Sequence, residues 1–81
     1  MEVSIDGKAL KDLAKIDKTQ AKKIFSKIEA LADFPDVPNL KKLTNFHPPF
    51  RLRVGNYRVL FDVEDGVLTV YNVKHRKESY S

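Results

Sequence analysis

The residues of this 81-residue sequence that are best suited to binding or catalysis are its arginines. All of them lie in the second half of the chain, and they are Arg51, Arg53, Arg58 and Arg76. No acidic residue occurs between Asp36 and Asp62, so the stretch that holds the first three arginines has no carboxylate of its own to pair with them. Because a guanidinium group can donate two parallel hydrogen bonds to a phosphate, this distribution indicates a binding site for a phosphate-containing ligand.

Several arginines on one surface suit a phosphodiester whose negative charge grows in the transition state of cleavage. An RNA substrate supplies its own nucleophile, the 2′-hydroxyl, so the protein needs to provide only orientation, a base and an acid. Aromatic side chains such as Tyr71 and Tyr80 could stack on the bases of such a substrate. The alternative is a surface that binds phosphate without cleaving it.

Other kinds of catalytic site lack the residues that they require. The absence of cysteine excludes a thiol nucleophile, a disulfide framework and a cysteine-bound metal. The two histidines, His47 and His75, lie far apart in the sequence and have no pair of carboxylates nearby, which is a poor set of metal ligands. The glycine-rich phosphate loop and the G-x-S-x-G and H-E-x-x-H motifs are also absent from the sequence. We therefore expect no metal site and no cofactor.

A predicted β-hairpin positions the first three arginines. Residues 50–54 alternate between apolar and basic side chains, as a half-buried strand does, and Gly55 and Asn56 form a two-residue hairpin turn. A turn of that length places Arg53 directly opposite Arg58. Because like charges at opposite positions destabilise a strand pair, folding alone does not account for these arginines. The pattern predicts an apolar face that packs on helices and a basic face that binds an anion.

A second hairpin extends the sheet toward the C-terminal basic residues. Residues 57–64 and 67–74 are the predicted strands, and the Asp-Gly pair between them is a strong hairpin signal. If that loop has two residues, Tyr71 lies opposite Leu60 on the arginine face, whereas a one-residue bulge would turn Tyr71 inward. The basic run at residues 74–77 follows directly, so the sheet brings it near the same region.

The N-terminal half of the chain supplies the predicted layer that covers the apolar face. Residues 1–5 alternate as a short strand, after which apolar residues recur at helical spacing in two amphipathic helices. Asp17 is the predicted N-cap of the second helix, which ends at Phe34-Pro35, and residues 35–49 are a predicted loop. The order β-α-α-β-β-β predicts an α+β fold, with two N-terminal helices packed on one face of a small, mostly antiparallel twisted sheet.

Length and charge place the chain in a broad class of protein. Eighty-one residues suffice for one small domain, predicted to span residues 1–81 around a single core. The net charge is +4, and a hydrophobic content of 42% is typical of a globular protein. No apolar run approaches the roughly 18–20 residues of a membrane span, and the N-terminus lacks the order of a secretory signal. We therefore expect a soluble, cytoplasmic protein with no membrane partner.

Two segments give the sequence a resemblance to a known superfamily. They are FRLRVGNYRVLF at residues 50–61, with the pattern R-x-R-x-G-x-Y-R, and VKHRKESY at residues 73–80, with the pattern H-R-x-x-x-Y. With the order of the elements, they make nearly the whole chain resemble the RelE/ParE toxin superfamily, and its RelE-like branch in particular.

The resemblance implies the toxin of a type II toxin–antitoxin module. Such a toxin is an mRNA interferase, a metal-independent endoribonuclease that cuts messenger RNA in the ribosomal A site. Attack by the 2′-hydroxyl leaves a 2′,3′-cyclic phosphate and a 5′-hydroxyl. The resemblance also implies a cognate antitoxin that neutralises the toxin, and operator DNA that is bound only through the toxin–antitoxin complex.

Position by position, the resemblance implies roles for individual residues. Arg58 matches the residue that holds and neutralises the scissile phosphate, Arg76 matches the one that assists the leaving 5′-oxygen, and Tyr80 matches the one that orients or activates the 2′-hydroxyl. Other residues of the two segments are expected to bind the substrate. They are Arg51, Arg53, Lys74, His75 and Lys77.

The sequence departs from the family pattern at Arg51 and Arg53, where some members carry lysine. An arginine cannot act as a base in a protein because its pKa exceeds ~12, so these two are expected to bind phosphate or to stabilise charge. His75 could be an auxiliary acid or base, or it could serve packing or RNA contact. Tyr80 lies next to the last residue of the chain, where a terminus can fray.

Two further functions are compatible with the resemblance. The ParE branch shares the fold but inhibits DNA gyrase, and it lacks the nuclease set of basic residues and tyrosine. A degenerate member would bind an antitoxin or RNA without catalysis. The presence of Arg58, Arg76 and Tyr80 favours the nuclease over both alternatives.

Overall fold

A computed structural model describes residues 1–78, which form a five-stranded sheet and two α-helices. The strands are β1 (Glu2–Ile5), β2 (Leu40–Lys42), β3 (Phe50–Val54), β4 (Tyr57–Glu64) and β5 (Val67–His75). The helices are α1 (Gly7–Ala14) and α2 (Lys18–Glu29), and a 3₁₀ turn over Ala30–Asp33 continues α2. The strand order is β1-β5-β4-β3-β2, in which β1 is parallel to β5 and the other neighbours are antiparallel. The predicted α+β class is confirmed.

Aspartates cap both helices at their N-termini. The carboxylate of Asp6 accepts a hydrogen bond from the backbone N–H of Lys8 at 3.1 Å, and that of Asp17 accepts one from Gln20 at 3.4 Å. The predicted N-cap of the second helix is therefore confirmed. Within residues 1–78, neither helix has the length and apolar character needed to cross a membrane.

The core lies between the helices and one face of the sheet. The alternation of β3 and β4 places Leu52, Val59 and Phe61 on that face, where their side chains are buried. Phe61 stacks on Phe50 with ring centroids 5.4 Å apart, and Phe34 meets both rings edge-on. The helices contribute Ile24 and Ile28 of α2 and Leu13 of α1. This packing holds the central hairpin against the helices.

The predicted loop over residues 35–49 is in part a strand, and to that extent the prediction was wrong. β2 pairs with β3 in antiparallel register, so that Leu40 lies opposite Leu52 and Lys41 lies opposite Arg51. Leu40 packs on the core, whereas Lys41 is exposed. A strand of three residues is too short to show the alternation that identifies longer strands.

Helix α1 completes the outer edge of β5 where β1 ends. The last contact of β1 with β5 is the hydrogen bond from the N–H of Asp6 to the carbonyl of Val70, at 2.9 Å. Farther along β5, the carboxylate of Asp12 accepts the backbone N–H of Val73 at 3.0 Å. The Nζ of Lys8 also donates to the side-chain oxygen of Asn72. Helix α1 therefore holds the half of β5 that leads to the C-terminal basic residues.

Candidate functional site

The first hairpin has the predicted register. Its two-residue turn leaves Val54 opposite Tyr57 and Arg53 opposite Arg58. Gly55 in this turn has a φ of +58°, a left-handed conformation that glycine adopts without steric cost. The two arginines therefore share the face of the sheet that points away from the helices, as the sequence predicted.

The second hairpin contains a β-bulge that changes its register. Its turn has two residues, as predicted, and Val70 lies opposite Phe61. Leu60, which precedes Phe61 in β4, lies opposite Asn72. Tyr71 therefore has no partner of its own on β4 and is the extra residue of the bulge. Of the two registers that the sequence left open, the structure has the one with a bulge and not the one that places Tyr71 opposite Leu60.

The bulge decides which residues at the end of β5 join the arginine face. Beyond it Val73 lies opposite Val59 and is buried, and Lys74 lies opposite Arg58. Without the bulge, Val73 would be on the arginine face and Lys74 would be on the core face. A signal for the bulge is present in the sequence, because the spacing from Val70 to Val73 breaks the alternation of apolar residues.

Basic residues from four neighbouring strands occupy the face of the sheet away from the helices. One row across the strands contains Arg53, Arg58 and Lys74, and the next row contains Lys41 and Arg51. We call these five residues the basic face. Sequence reasoning missed Lys41 because it missed β2.

Arg58 occupies the centre of the basic face, and the neighbouring charges that act on it are those of other arginines. Its Nη1 donates to the carbonyl oxygens of Gly55 and Tyr57, at 3.1 and 3.0 Å, which fixes the orientation of the guanidinium group. Within residues 1–78, its Nε is buried and has no hydrogen-bond partner. Burial is the main cause that lowers the pKa of Arg58, and the nearby charges of Arg51, Arg53 and Arg76 lower it further. Such a group is ready to receive an anion.

The turn after β5 brings Arg76 to the edge of the basic face. Its backbone N–H donates to the carbonyl of Asn56 at 2.6 Å, which connects this turn to the turn of the first hairpin. Arg76 and Lys77 are both exposed. Arg76 lies close enough to Arg58 to lower the pKa of that residue. The predicted site residue Tyr80 lies outside the described residues.

His75 lies on the other face of the sheet, although it belongs to the same C-terminal motif. It is paired with Tyr57, and the two rings meet edge-on with centroids 5.3 Å apart. Tyr57 faces the core side of the sheet. The structure thus brings the arginines and Lys74 together and separates the His75 ring from them.

An aromatic contact borders the basic face at its other end. The rings of His47, from the loop between β2 and β3, and Tyr71, from the bulge, are 6.4 Å apart. Leu60, which is on the arginine face, is only 4% exposed. Other side chains therefore cover Leu60 in the middle of the arginine face.

The arrangement can bind a phosphodiester and stabilise the charge that develops on it during cleavage. Oriented cationic donors in a row are the residues that such a transition state requires. Among residues 1–78, no group of three histidine, aspartate or glutamate side chains is placed to hold a metal ion.

Comparison with known families gives a match over almost the whole chain. The model described as the ParE toxin of the type II toxin–antitoxin system parDE matches residues 3–80. A curated relative, Toxin RelE3 of Methanocaldococcus jannaschii, is 38% identical over 42 residues. The matched segment is 52% of this chain and 48% of the relative, so the match spans about half the length of that protein.

Solved structures show the same fold. The toxin–antitoxin complex RelB-RelE from Methanococcus jannaschii matches with a TM-score of 0.79 and 28% identity, over 95% of this chain and 94% of the solved chain. The isolated RelE toxin of E. coli matches with a TM-score of 0.73 over 91% of this chain and 82% of the solved chain. Its identity of 22% makes that second likeness one of fold alone.

Proposed function

This chain belongs to the ParE toxin family of type II toxin–antitoxin systems, within the RelE/ParE superfamily, and from that premise we propose that it is a RelE-like toxin that cleaves messenger RNA on the ribosome. The proposed reaction uses the 2′-hydroxyl of the substrate as its nucleophile and no divalent metal. The proposed partners are mRNA in the ribosomal A site and a cognate antitoxin, with operator DNA bound only through the antitoxin complex.

The environment of Arg58 is the observation that carries this proposal. Its guanidinium group is oriented by two backbone carbonyls, is partly desolvated, and faces Arg53 and Lys74 on its two neighbouring strands. Like charges at opposite positions cost folding free energy, so a protein that needed only stability would not place them there. A bound phosphate offsets this cost and receives the hydrogen bonds that the row offers.

The proposed cleavage needs charge stabilisation by the arginines, the nucleophile of the substrate, a general base for the 2′-hydroxyl and a general acid for the leaving oxygen. As a base takes the proton of the 2′-hydroxyl, the 2′-oxygen forms a bond to phosphorus. The bond from phosphorus to the 5′-oxygen breaks, and that oxygen gains a proton. Arg58 would hold the non-bridging oxygens and Arg76 would stabilise the leaving oxygen, while the resemblance assigns Tyr80 to the 2′-hydroxyl. Arg51, Arg53, Lys74, Lys77 and also Lys41 would bind flanking phosphates.

Mapping of mRNA ends after induction tests the nuclease function. The chain is expressed without a partner, and transcripts are examined for 5′-hydroxyl ends in register with the codons of the reading frame, with an Arg58→Ala variant as the matched control. We expect translation arrest and such ends with the parent chain only. Metal independence is tested with a phosphorothioate at the scissile position, where we expect no rescue by a thiophilic metal ion. Growth arrest without new mRNA ends would contradict the nuclease function.

Inhibition of DNA gyrase is the second candidate, because the matching family model is that of the ParE toxin. It predicts DNA damage and loss of supercoiling activity in a purified gyrase assay, with mRNA left intact. The row of basic residues at Arg53, Arg58 and Lys74 favours the nuclease, because it provides the charge that phosphodiester cleavage needs. Scoring DNA damage and new mRNA ends in the same induced culture separates the candidates, and the purified gyrase assay tests inhibition directly.

The helices offer a surface for the proposed antitoxin. Four lysines of α2 are exposed, and so are the apolar side chains of Leu10 on α1 and Phe25 on α2, at 51% and 43%. The exposed lysines are Lys18, Lys22, Lys23 and Lys27. An acidic, amphipathic segment that folds on binding fits this combination of charge and apolar contact.

Co-purification with the product of the neighbouring gene tests the antitoxin. We expect a stable complex from co-expressed operon products, and we expect Phe25→Asp to weaken it. Recovery of the chain alone, in the presence of the neighbouring gene product, would contradict this partner.

A further inference from the structure

His75 belongs to the C-terminal motif, but its ring is on the opposite face from the arginines. The ring packs edge-on against Tyr57, and both residues line a depression of about 400 Å³ beside α1. A substrate bound along the basic face would have the sheet between itself and this ring. Contact between His75 and the scissile phosphate is therefore not what the geometry favours.

The polar groups of His75 hold together the turn that follows β5. Its Nδ1 accepts a hydrogen bond from the backbone N–H of Lys77 at 3.3 Å, and its carbonyl oxygen accepts one from the N–H of Glu78 at 2.8 Å. Its own backbone N–H donates to the carboxylate of Glu78 at 3.3 Å. Because Nδ1 is an acceptor here, the neutral ring carries its proton on Nε2.

This turn carries Arg76 close to another cation, Arg58. Arg76 directly follows His75, and its charge is one of those that lower the pKa of Arg58. The two cations therefore repel each other. Hydrogen bonds within the turn, and the bond from the Arg76 N–H to Asn56, supply the restraint.

We infer that His75 is a positioning residue, which fixes the turn that carries Arg76 through the acceptor Nδ1 and exchanges no proton with the substrate. The inference deepens the proposed nuclease function and rests on it for its activity measurement. Its second measurement, of the turn itself, is independent of any activity.

Three variants separate the acceptor from the ring. His75→Asn places an amide oxygen at the same number of bonds from the backbone as Nδ1, whereas His75→Gln places its acceptor one bond farther out. His75→Ala has no acceptor. The asparagine and glutamine variants both lose the ring contact with Tyr57, so the difference between them reports the acceptor alone, and thermal unfolding shows that each variant is folded.

The first measurement is single-turnover cleavage of mRNA on programmed ribosomes across a range of pH. We expect His75→Asn to stay close to the parent rate, with a pH profile of the same shape. We expect the glutamine and alanine variants to lose about tenfold to a hundredfold, because a displaced catalytic group costs that much. If His75→Asn loses as much activity as His75→Ala, or changes the shape of the pH profile, the ring acts on the substrate and the inference is overturned.

The second measurement is amide hydrogen exchange at Lys77 by NMR. Loss of the acceptor should speed exchange by roughly fivefold in the alanine and glutamine variants and leave it unchanged in the asparagine variant. Equal exchange in the parent and alanine proteins would overturn the inference. If the parent itself does not cleave, the proposed function fails, whereas the exchange rates still decide whether His75 holds the turn.

Discussion

Replacement of Arg58 by alanine is expected to remove activity while leaving the stability of the fold nearly unchanged. Loss of one well-placed charged donor to a transition state costs ~3–4 kcal/mol, which is a factor of a hundred or more in rate. Arg58 contributes no apolar contact to the core, since Val59 and Phe61 fill that side of β4. Activity and stability therefore respond to different properties of this side chain.

The effect of this change on the free energy of unfolding combines two opposing contributions. The variant loses the two hydrogen bonds to Gly55 and Tyr57, each worth ~0.5–1.5 kcal/mol and at the low end where water can replace the donor. It also loses the repulsion from Arg53 and from Lys74, worth roughly 0.2–1 kcal/mol for each opposite pair. The net change is within about 1 kcal/mol of zero, which corresponds to a shift in Tm of no more than ~4–8 °C.

Salt dependence supplies the sharper measurement. Raising the ionic strength from 0.1 to 1 M shortens the Debye length from ~10 to ~3 Å and screens repulsion on the basic face. The Tm of the parent protein should therefore rise more with NaCl than that of Arg58→Ala. Lys22→Ala, on the exposed surface of α2, is the matched control and should keep both the cleavage rate and the salt response of the parent.

Two results would refute this reasoning. If the Arg58→Ala variant cleaves as fast as the parent protein in the single-turnover ribosome assay, the basic face is not the active site. A fall in Tm of more than ~10 °C, with no difference in salt response, would mean that Arg58 supports the fold instead.

The remaining predictions concern one residue each. Arg76→Ala should lower single-turnover cleavage by about a hundredfold without changing Tm, because the side chain is exposed. Unchanged cleavage would exclude Arg76 from the reaction. Tyr80→Phe should have an intermediate effect in the same assay, since stacking survives the loss of the hydroxyl and proton transfer does not, and a loss as large as that of Tyr80→Ala would assign the whole effect to the hydroxyl. Asp12→Ala should lower Tm by roughly 4–8 °C, because the N–H of Val73 loses its acceptor, whereas Asp12→Asn should retain most of the stability. Equal Tm values for the alanine and asparagine variants would mean that water replaces the carboxylate at no cost.

The first hairpin could be predicted in detail because two independent signals agree on its register. The Gly55-Asn56 turn sets the loop length, and the alternation of residues 50–54 sets the faces. The opposite positions of Arg53 and Arg58 follow from these two facts alone. Local sequence determines the register of this hairpin because its strands alternate without interruption from the turn onward.

The second hairpin and the edge strand could not be predicted to the same depth. A two-residue turn fixes only the pairs next to it, and the bulge at Tyr71 changes every pair beyond. β2 is held by its pairing with β3 rather than by its own three residues, so nothing local to Leu40–Lys42 indicates it. The face occupied by His75 depends on the bulge as well, and for that reason the sequence left its role open.

The bulge makes this site sensitive to the number of residues in β5 and not only to their identity. Tyr71 is the extra residue, so the alternation between the core face and the basic face is shifted by one residue after it. Deleting a single uncharged residue here would exchange the faces of Lys74 and His75 and would turn Val73 out of the core. Such a deletion would remove a charge from the basic face although the sequence would still contain every charged residue. A substitution at position 71 does not change the number of residues in β5 and so leaves the faces of Val73, Lys74 and His75 as they are. The length of this strand, more than its composition, is therefore what evolution would have to preserve.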